Sequence, residues 1–281
     1  MDIEGRVVVV TGGGSGIGEA LARAFAGAGA AHVVVADLDG HAARRVAAGI
    51  GGTGVQVDVS DADAIVDLVD GTEAAHGPIG VFASNAGYVT LGGLEDTDER
   101  IQHMWDVHVM AHIRAARAVI PQMVANGGGY LLNTASAAGL LTQIGSLAYS
   151  VTKHAAVAVA EWVAISHHHQ GIRVSVLCPQ AVRTNIVANS PDARAMGGDE
   201  LNTGVASGDG VVEPDQVARL CLEAMAEERF WVLPHPEVAE YVQRKATDVD
   251  RWLAGMRRLQ AALYGDGPLP GDALVADLPG R

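Results

Sequence analysis

Tyr149 and Lys153, in the stretch Tyr149-Ser150-Val151-Thr152-Lys153, are spaced so that on a helix they stand one above the other on the same face. An ammonium beside a phenol favours the phenolate, and brings a group that ordinarily titrates near ~10 towards the range where an acid–base catalyst works. Such pairs also decorate ordinary helix surfaces, so the chemistry needs company. A glycine-rich run, Thr11-Gly12-Gly13-Gly14-Ser15-Gly16-Ile17-Gly18, provides some of it. Gly12, Gly16 and Gly18 permit a tight turn and a close approach of main chain to a diphosphate, while the next helix presents unpaired amides to the anion. That is dinucleotide-binding chemistry, provided the loop comes after a strand and opens a helix.

The surrounding periodicity meets that condition. Arg6 to Val10 is a β-branched run ending at the glycine loop, and Ile17 to Ala28 reads as a helix with Leu21 and Phe25 on one face. Further strands are predicted at His32 to Ala36, Val55 to Val59, Ile79 to Ala83, Tyr130 to Thr134, Ile172 to Leu177 and Phe230 to Leu233. Helices fall between them, at Gly40 to Gly49, Ala62 to His76, Asp98 to Asn126, Tyr149 to about His169, and Pro214 to Glu227. Alternation of this kind implies right-handed crossovers and an α/β fold: a doubly wound, mostly parallel sheet of about seven strands with helices on both faces and ligands at the strands' C-terminal ends. The expected organisation is one catalytic domain over residues 1–265. A lid lies at about 183–212, where Gly, Asn, Asp and Ser break the period. A C-terminal amphipathic helical extension is expected at about 237–264, broken near Thr247, and residues 266–281 form a flexible tail.

With Ser136 ahead of the tyrosine and Asn85-Ala86-Gly87 after a strand, the chain from about Val7 to Thr184 resembles the short-chain dehydrogenase/reductase family. The resemblance implies that Ser136 steadies the substrate oxygen and that Tyr149 transfers the proton. It also implies that Lys153 serves both the phenol and the nicotinamide ribose. It places Gly12, Ser15, Gly16, Ile17 and Gly18 on the diphosphate, Asp58 and Val59 around the adenine, and Asn85, Ala86 and Gly87 on the adenosine side. Pro179, Val182 and Thr184 fall near the nicotinamide carboxamide. Asp37, at the end of the second strand and just before Leu38, can accept bonds from the adenosine ribose hydroxyls and would repel a 2′-phosphate, so the expected cofactor is NAD. Two positions depart from the family's pattern. His108 stands where an asparagine usually orients a water of the proton relay, so it either joins the relay, titrating near ~6.5 and shaping an acid limb of activity, or simply packs. Gln180 replaces a glycine, and either tolerates that backbone or turns its amide to the substrate.

Composition narrows the rest. With 33 acidic against 19 basic residues the formal charge is −14 and no basic run appears, which opposes nucleic-acid binding. No apolar stretch approaches a membrane span, and the two isolated cysteines, Cys178 and Cys221, suit a reducing cytoplasm as small apolar side chains. No metal is expected: His167, His168 and His169 point about 100° apart on a helix and cannot converge. His103 and His235 read as structural, and Trp252 and Met256 as core or subunit contact. Apolar Ala138, Leu140, Ile144, Val187 and Met196 around the site, with Gln143 and Gln180, suggest a hydrophobic secondary alcohol or ketone of aryl, cyclic, terpenoid or steroid type. A 3-hydroxyacyl or sugar substrate would want basic residues in the lid, where only Arg183 and Arg194 occur. A third reading is a silent dinucleotide-binding protein. Alanine-rich faces on the two long helices suggest a homodimer or a homotetramer built as a dimer of dimers.

Overall fold

A computed structural model describes residues 1–192 and 208–275 of the chain; Arg194 and Met196 lie outside them. Seven parallel strands form one sheet in the order β3-β2-β1-β4-β5-β6-β7. They are β1 (Val7–Thr11), β2 (His32–Asp37), β3 (Thr53–Gln56), β4 (Ile79–Ser84), β5 (Gly129–Thr134), β6 (Ile172–Leu177) and β7 (Trp231–Val232). The order reverses between β1 and β4, which opens a crevice at their C-terminal ends. The strands at its centre read as continuous apolar runs because both sheet faces are covered: β1, β4 and β5 are buried along their whole length.

Helices α1 (Gly16–Gly27), α2 (Gly40–Ile50) and α8 (Pro214–Ala226) cover one face, with Leu21, Phe25, Val46 and Met225 in the shared core. Helices α3 (Ala62–His76), α5 (Ala111–Ala125) and α7 (Leu147–His167) cover the other, where Ile65, Val119, Met123 and Ala156 are buried. Cys178 and Cys221 are buried and free, each in the apolar packing of one face.

Three boundaries differ from the periodicity. The third strand ends at Gln56 rather than Val59, because its partner β2 stops at Asp37, the residue that Gln56 faces. The last strand shrinks to Trp231–Val232, paired only with Val176 and Leu177. The helix expected from Asp98 to Asn126 is three pieces: α4 (Asp98–Trp105), a π turn at Asp106–Met110, and α5. A π turn inserts an extra residue and rotates the helix beyond it, a feature no apolar period reports. His108 lies in that turn.

The C-terminal extension is α9 (Glu237–Thr247) and α10 (Val249–Tyr264), with the break at Asp248, whose carboxylate caps α10 by accepting from the Arg251 amide. The pair is anchored by Val238, which is buried, and by the Lys245 ammonium, which donates to the Leu140 carbonyl at 2.7 Å. Among the described residues no helix is long and apolar enough to cross a membrane.

Candidate active site

The glycine loop is shaped first by its own packing. Gly12 and Gly16 take positive φ, of 62° and 53°. Gly18 must lack a side chain because a Cβ there would stand 2.0 Å from the Gly12 carbonyl oxygen. Ser15 caps α1 without a side-chain hydrogen bond, so the amides of the first turn face the crevice with their donors uncommitted by the cap. Thr184 packs over Gly16 from the far side of the crevice. Beside the loop, Asp37 accepts from the Gly14 amide at 2.8 Å and from the Asp39 amide at 2.9 Å, which fixes its carboxylate at the end of β2. This cradle fits a nicotinamide dinucleotide.

Sequence reasoning missed two residues here. Thr11 accepts from the amides of Asn85 and Ala86, and the Asn85 side chain donates to the Thr11 carbonyl and accepts from the Thr134 hydroxyl. Asn85 therefore ties the ends of β1, β4 and β5 together, and its amide does not point outward as a ligand group. Arg45 reaches back from α2 to donate to the Gly14 carbonyl at 2.7 Å while pairing with Glu19 at 3.1 Å. A basic residue thus stands beside the glycine loop, brought there by the packing of α2.

Ser136, Tyr149 and Lys153 come together on one wall of the same cavity. Ser136 lies just after β5 and ahead of the short helix α6 (Ala138–Leu141), and Tyr149 in the first turn of α7. The close fit between them depends on Gly139, where a Cβ would meet the Lys153 carbonyl at 2.5 Å. The Lys153 ammonium donates to the Thr134 carbonyl at 3.0 Å and sits 5.6 Å from the centre of the Tyr149 ring. Burial lowers its pKa from 10.5 to about 8. Burial also raises the Tyr149 phenol above its ordinary value, and the Ser136 hydroxyl bonded to it pulls it partly back. Contrary to the expectation that Lys153 brings the phenol down, burial sets the direction of its shift.

His108 is buried, its ring edge-on to Tyr149 with centroids 5.6 Å apart. The Tyr88 amide donates to its Nε2 at 3.1 Å, which leaves the proton on Nδ1, 3.0 Å from the Thr152 hydroxyl. That hydroxyl in turn donates to the Tyr149 carbonyl at 3.2 Å. Both ring nitrogens are occupied. Burial first, and the Lys153 charge second, hold His108 well below the usual histidine range. An acid limb near ~6.5 is therefore not to be assigned to this ring.

Asp58, Val59, Ala86, Gly87, Pro179, Val182, Leu38 and Ile17 line the cavity, as do the substrate candidates Ala138, Gln143, Gln180 and Val187. Gly87 is small because a Cβ would stand 3.0 Å from His108 Nε2. Gln180 has no positive φ, and its amide donates to Asp209 at 2.8 Å, whose other oxygen accepts from the Tyr241 hydroxyl at 2.9 Å. The Gln180 main-chain amide donates to Nδ1 of the buried His235. His103 lines the cavity beside Tyr88, their ring centres 5.7 Å apart. The described ends of the expected lid are pinned. The Arg183 amide donates to the Val212 carbonyl and the Val212 amide to the Ala181 carbonyl across its stem, and Ser190 and Asp192 accept from the amides of Val89 and Leu91.

Trp252 and Met256 are also corrected: they line this cavity and are not core, since α10 buries no residue against the body of the protein. The cavity, about 2400 Å³, runs from the glycine loop to α10. That exceeds the ~300–1,000 Å³ of an ordinary small-molecule pocket and leaves room for a second ligand beside a dinucleotide.

The family model described as short chain dehydrogenase matches residues 6–195. The chain is 36% identical over 260 residues to 1-deoxy-11-beta-hydroxypentalenate dehydrogenase of Streptomyces exfoliatus, covering 89% of this chain and 90% of that one. It is 35% identical over 201 residues to 2-keto-3-deoxy-L-fuconate dehydrogenase of Xanthomonas campestris, covering 70% and 65%. Among solved structures, a short chain dehydrogenase/reductase from Burkholderia phymatum in complex with NAD matches with a TM-score of 0.79 at 31% identity, over 89% of this chain and 96% of that one.

Proposed function

The chain belongs to the short-chain dehydrogenase/reductase family, whose relatives are oxidoreductases acting on alcohols, and from that premise we propose that it interconverts a hydrophobic secondary alcohol and its ketone with NAD. The observation that carries this reading is the convergence of Ser136, Tyr149 and Lys153 on the wall of a cavity whose other end is the glycine loop and Asp37. The nicotinamide, when bound, accepts or gives the hydride. The Ser136 hydroxyl is placed to hold the substrate oxygen, and Tyr149 to take its proton during oxidation or return it during reduction. Lys153, fixed by the Thr134 carbonyl, puts a cation within reach of a phenolate, so that proton loss from Tyr149 is favoured at the moment it is needed. Tyr149, Ser136 and Lys153 are all buried, which keeps bulk water from competing for the proton. Thr184 packs over Gly16, where it would face the bound cofactor.

The experiment is absorbance at the reduced-nicotinamide band with NAD and a panel of cyclic, terpenoid and acyclic secondary alcohols and sugars. Cyclic hydrophobic alcohols are expected to rank first, since Ala138, Val187, Trp252 and Met256 line the substrate end of the cavity. The relative named for a keto-deoxy-fuconate favours the sugar arm as a second reading, and sugars ranking first would establish it. Absence of turnover across the panel would leave the silent binding protein.

Cofactor choice is assigned to Asp37. In Asp37→Ser the carboxylate that would repel a 2′-phosphate is gone, and Arg45 stands on the adjoining Gly14 carbonyl. The preference for NAD over NADP is expected to narrow by at least about tenfold, ~1.4 kcal/mol, in kcat/KM measured with both cofactors. A wild-type protein that already favours NADP would overturn the assignment.

We propose self-association through α7, whose outer face leaves Val151, Trp162 and Ile165 exposed at 47%, 62% and 80%. A second copy covering that strip gives a homodimer, or a homotetramer if α4 and α5 also pair. Light scattering at micromolar protein is expected to give at least twice the chain mass of 29.0 kDa, and a monomer mass would end the idea.

A further inference from the structure

The cavity continues past Tyr149 to the inner side of α9 and α10, and that wall carries Arg251 and Arg258 among Trp252, Met256 and Leu259. The two arginines lie about two helical turns apart on one face of α10. Gly255, between them, gives the second one room: the Arg258 guanidinium lies over it, with Nη2 3.8 Å from where a Cβ would stand. Long helical side chains lean towards the N-terminus, so Arg258 leans towards Arg251.

The carboxylates nearby are committed elsewhere. Glu240 pairs with Arg244 at 3.0 Å, Asp248 accepts the Arg251 main-chain amide at the start of α10, and Asp209 is held between Gln180 and Tyr241. Among the described residues, no carboxylate lies within salt-bridge distance of either the Arg251 or the Arg258 guanidinium. In a chain of formal charge −14, two guanidiniums facing a largely apolar cavity are a local reversal of the field.

The wall is also docked over the reacting end. Lys245 bonds the Leu140 carbonyl, and the Tyr264 hydroxyl lies 2.7 Å from where a Cβ on Gly145 would stand, in the loop just before α7. Tyr149, Trp252, Met256 and the two arginines thus line one and the same cavity.

We propose that Arg251 and Arg258 bind a carboxylate at the far end of the substrate, whose apolar body lies along Trp252, Met256 and Leu259. The substrate class is thus a hydroxylated hydrophobic acid, and the inference rests on the alcohol–ketone reading of the site. A guanidinium fork matches a carboxylate in geometry and can pair with it bidentately.

The test separates this inference from the reading beneath it by measuring binding apart from turnover. Cyclohexyl alkanoic acids of increasing chain length, each paired with its methyl ester, are titrated calorimetrically into the wild-type protein and into the double variants Arg251→Gln/Arg258→Gln and Arg251→Lys/Arg258→Lys. At one chain length the wild type is expected to bind the acid at least about tenfold more tightly than the ester, ~1.4 kcal/mol. The Gln variant is expected to lose that preference while binding the ester as before, and the Lys variant to keep part of it. Equal binding of acid and ester, binding of neither at any length, or a preference that survives in the Gln variant would overturn the inference. Turnover of the hydroxylated esters with NAD tests the alcohol–ketone reading on its own, because an ester needs no arginine.

Discussion

Tyr149→Phe is expected to lower kcat by ~10²–10⁴-fold, the range that a positioned general acid or base supplies, with cofactor affinity nearly unchanged. The substitution removes only the hydroxyl. The ring keeps its edge contact with His108 and its place beside Val89, Met104 and Ala148, so loss of activity in a variant with wild-type thermal stability isolates the proton transfer. Steady-state kinetics and a dinucleotide titration on the same preparation make the measurement, and a variant that kept most of its kcat would remove Tyr149 from the mechanism. Lys153→Met gives the contrasting result. Its cation is buried at a cost, shown by a pKa depressed to about 8, so the variant is expected to lose both turnover and cofactor affinity while its melting temperature holds or rises.

Acid should destabilise the fold well above the range where its carboxylates titrate. His112 is buried in the first turn of α5, bonded to Asn133, and burial lowers its pKa from 6.5 to about 3. His108 is shifted the same way. Below pH ~6.5 the unfolded chain binds a proton at His112 that the folded chain takes up only near pH 3, and His108 is shifted in the same direction. Stability is therefore complete above that pH and falls by ~1.36 kcal/mol per histidine for each pH unit below it. Between pH 6.5 and 4.5 the His112 ring alone costs on the order of 3 kcal/mol, and His108 adds to it in the same direction. The ion-paired Glu19, Asp192 and Glu228, whose pKa values are lowered, begin to lose their contributions only below that window. Urea midpoints measured across the window should show a slope about one proton smaller in His112→Leu than in the wild type. Equal slopes would mean that this ring is protonated in the folded protein. His108→Asn should likewise flatten the stability profile, and it should leave an acid limb near ~6.5 where it was, because burial holds this ring well below that range.

The chemistry of the site is local, and local chemistry can be read from a sequence. Tyr149 and Lys153 share a helix face because the helix period puts them there, and the glycine loop lies between β1 and α1 because β-branched and amphipathic runs flank it. The alternation of strand and helix leaves few topologies open, and the observed sheet order is one of them. Tertiary structure decided whatever depended on what stands opposite. Val57 and Val59 are apolar in the sequence, yet they fall outside β3 because β2 has ended. The π turn that buries His108 leaves no trace in an apolar pattern, and its ring became a bonded neutral group because Tyr88 and Thr152 close on it from two other segments. The phenol of Tyr149 was expected to be lowered and is raised, since spacing gives the distance to a cation but not the depth of burial. The approach of Arg45 to the glycine loop and of α10 to the cavity could not be read from the sequence, because chain separation hides the contacts that packing creates. A sequence determines which groups can share one helix or strand through periods of 3.6 and 2, whereas contacts between elements, and the desolvation they impose, exist only once the sheet has brought distant stretches together.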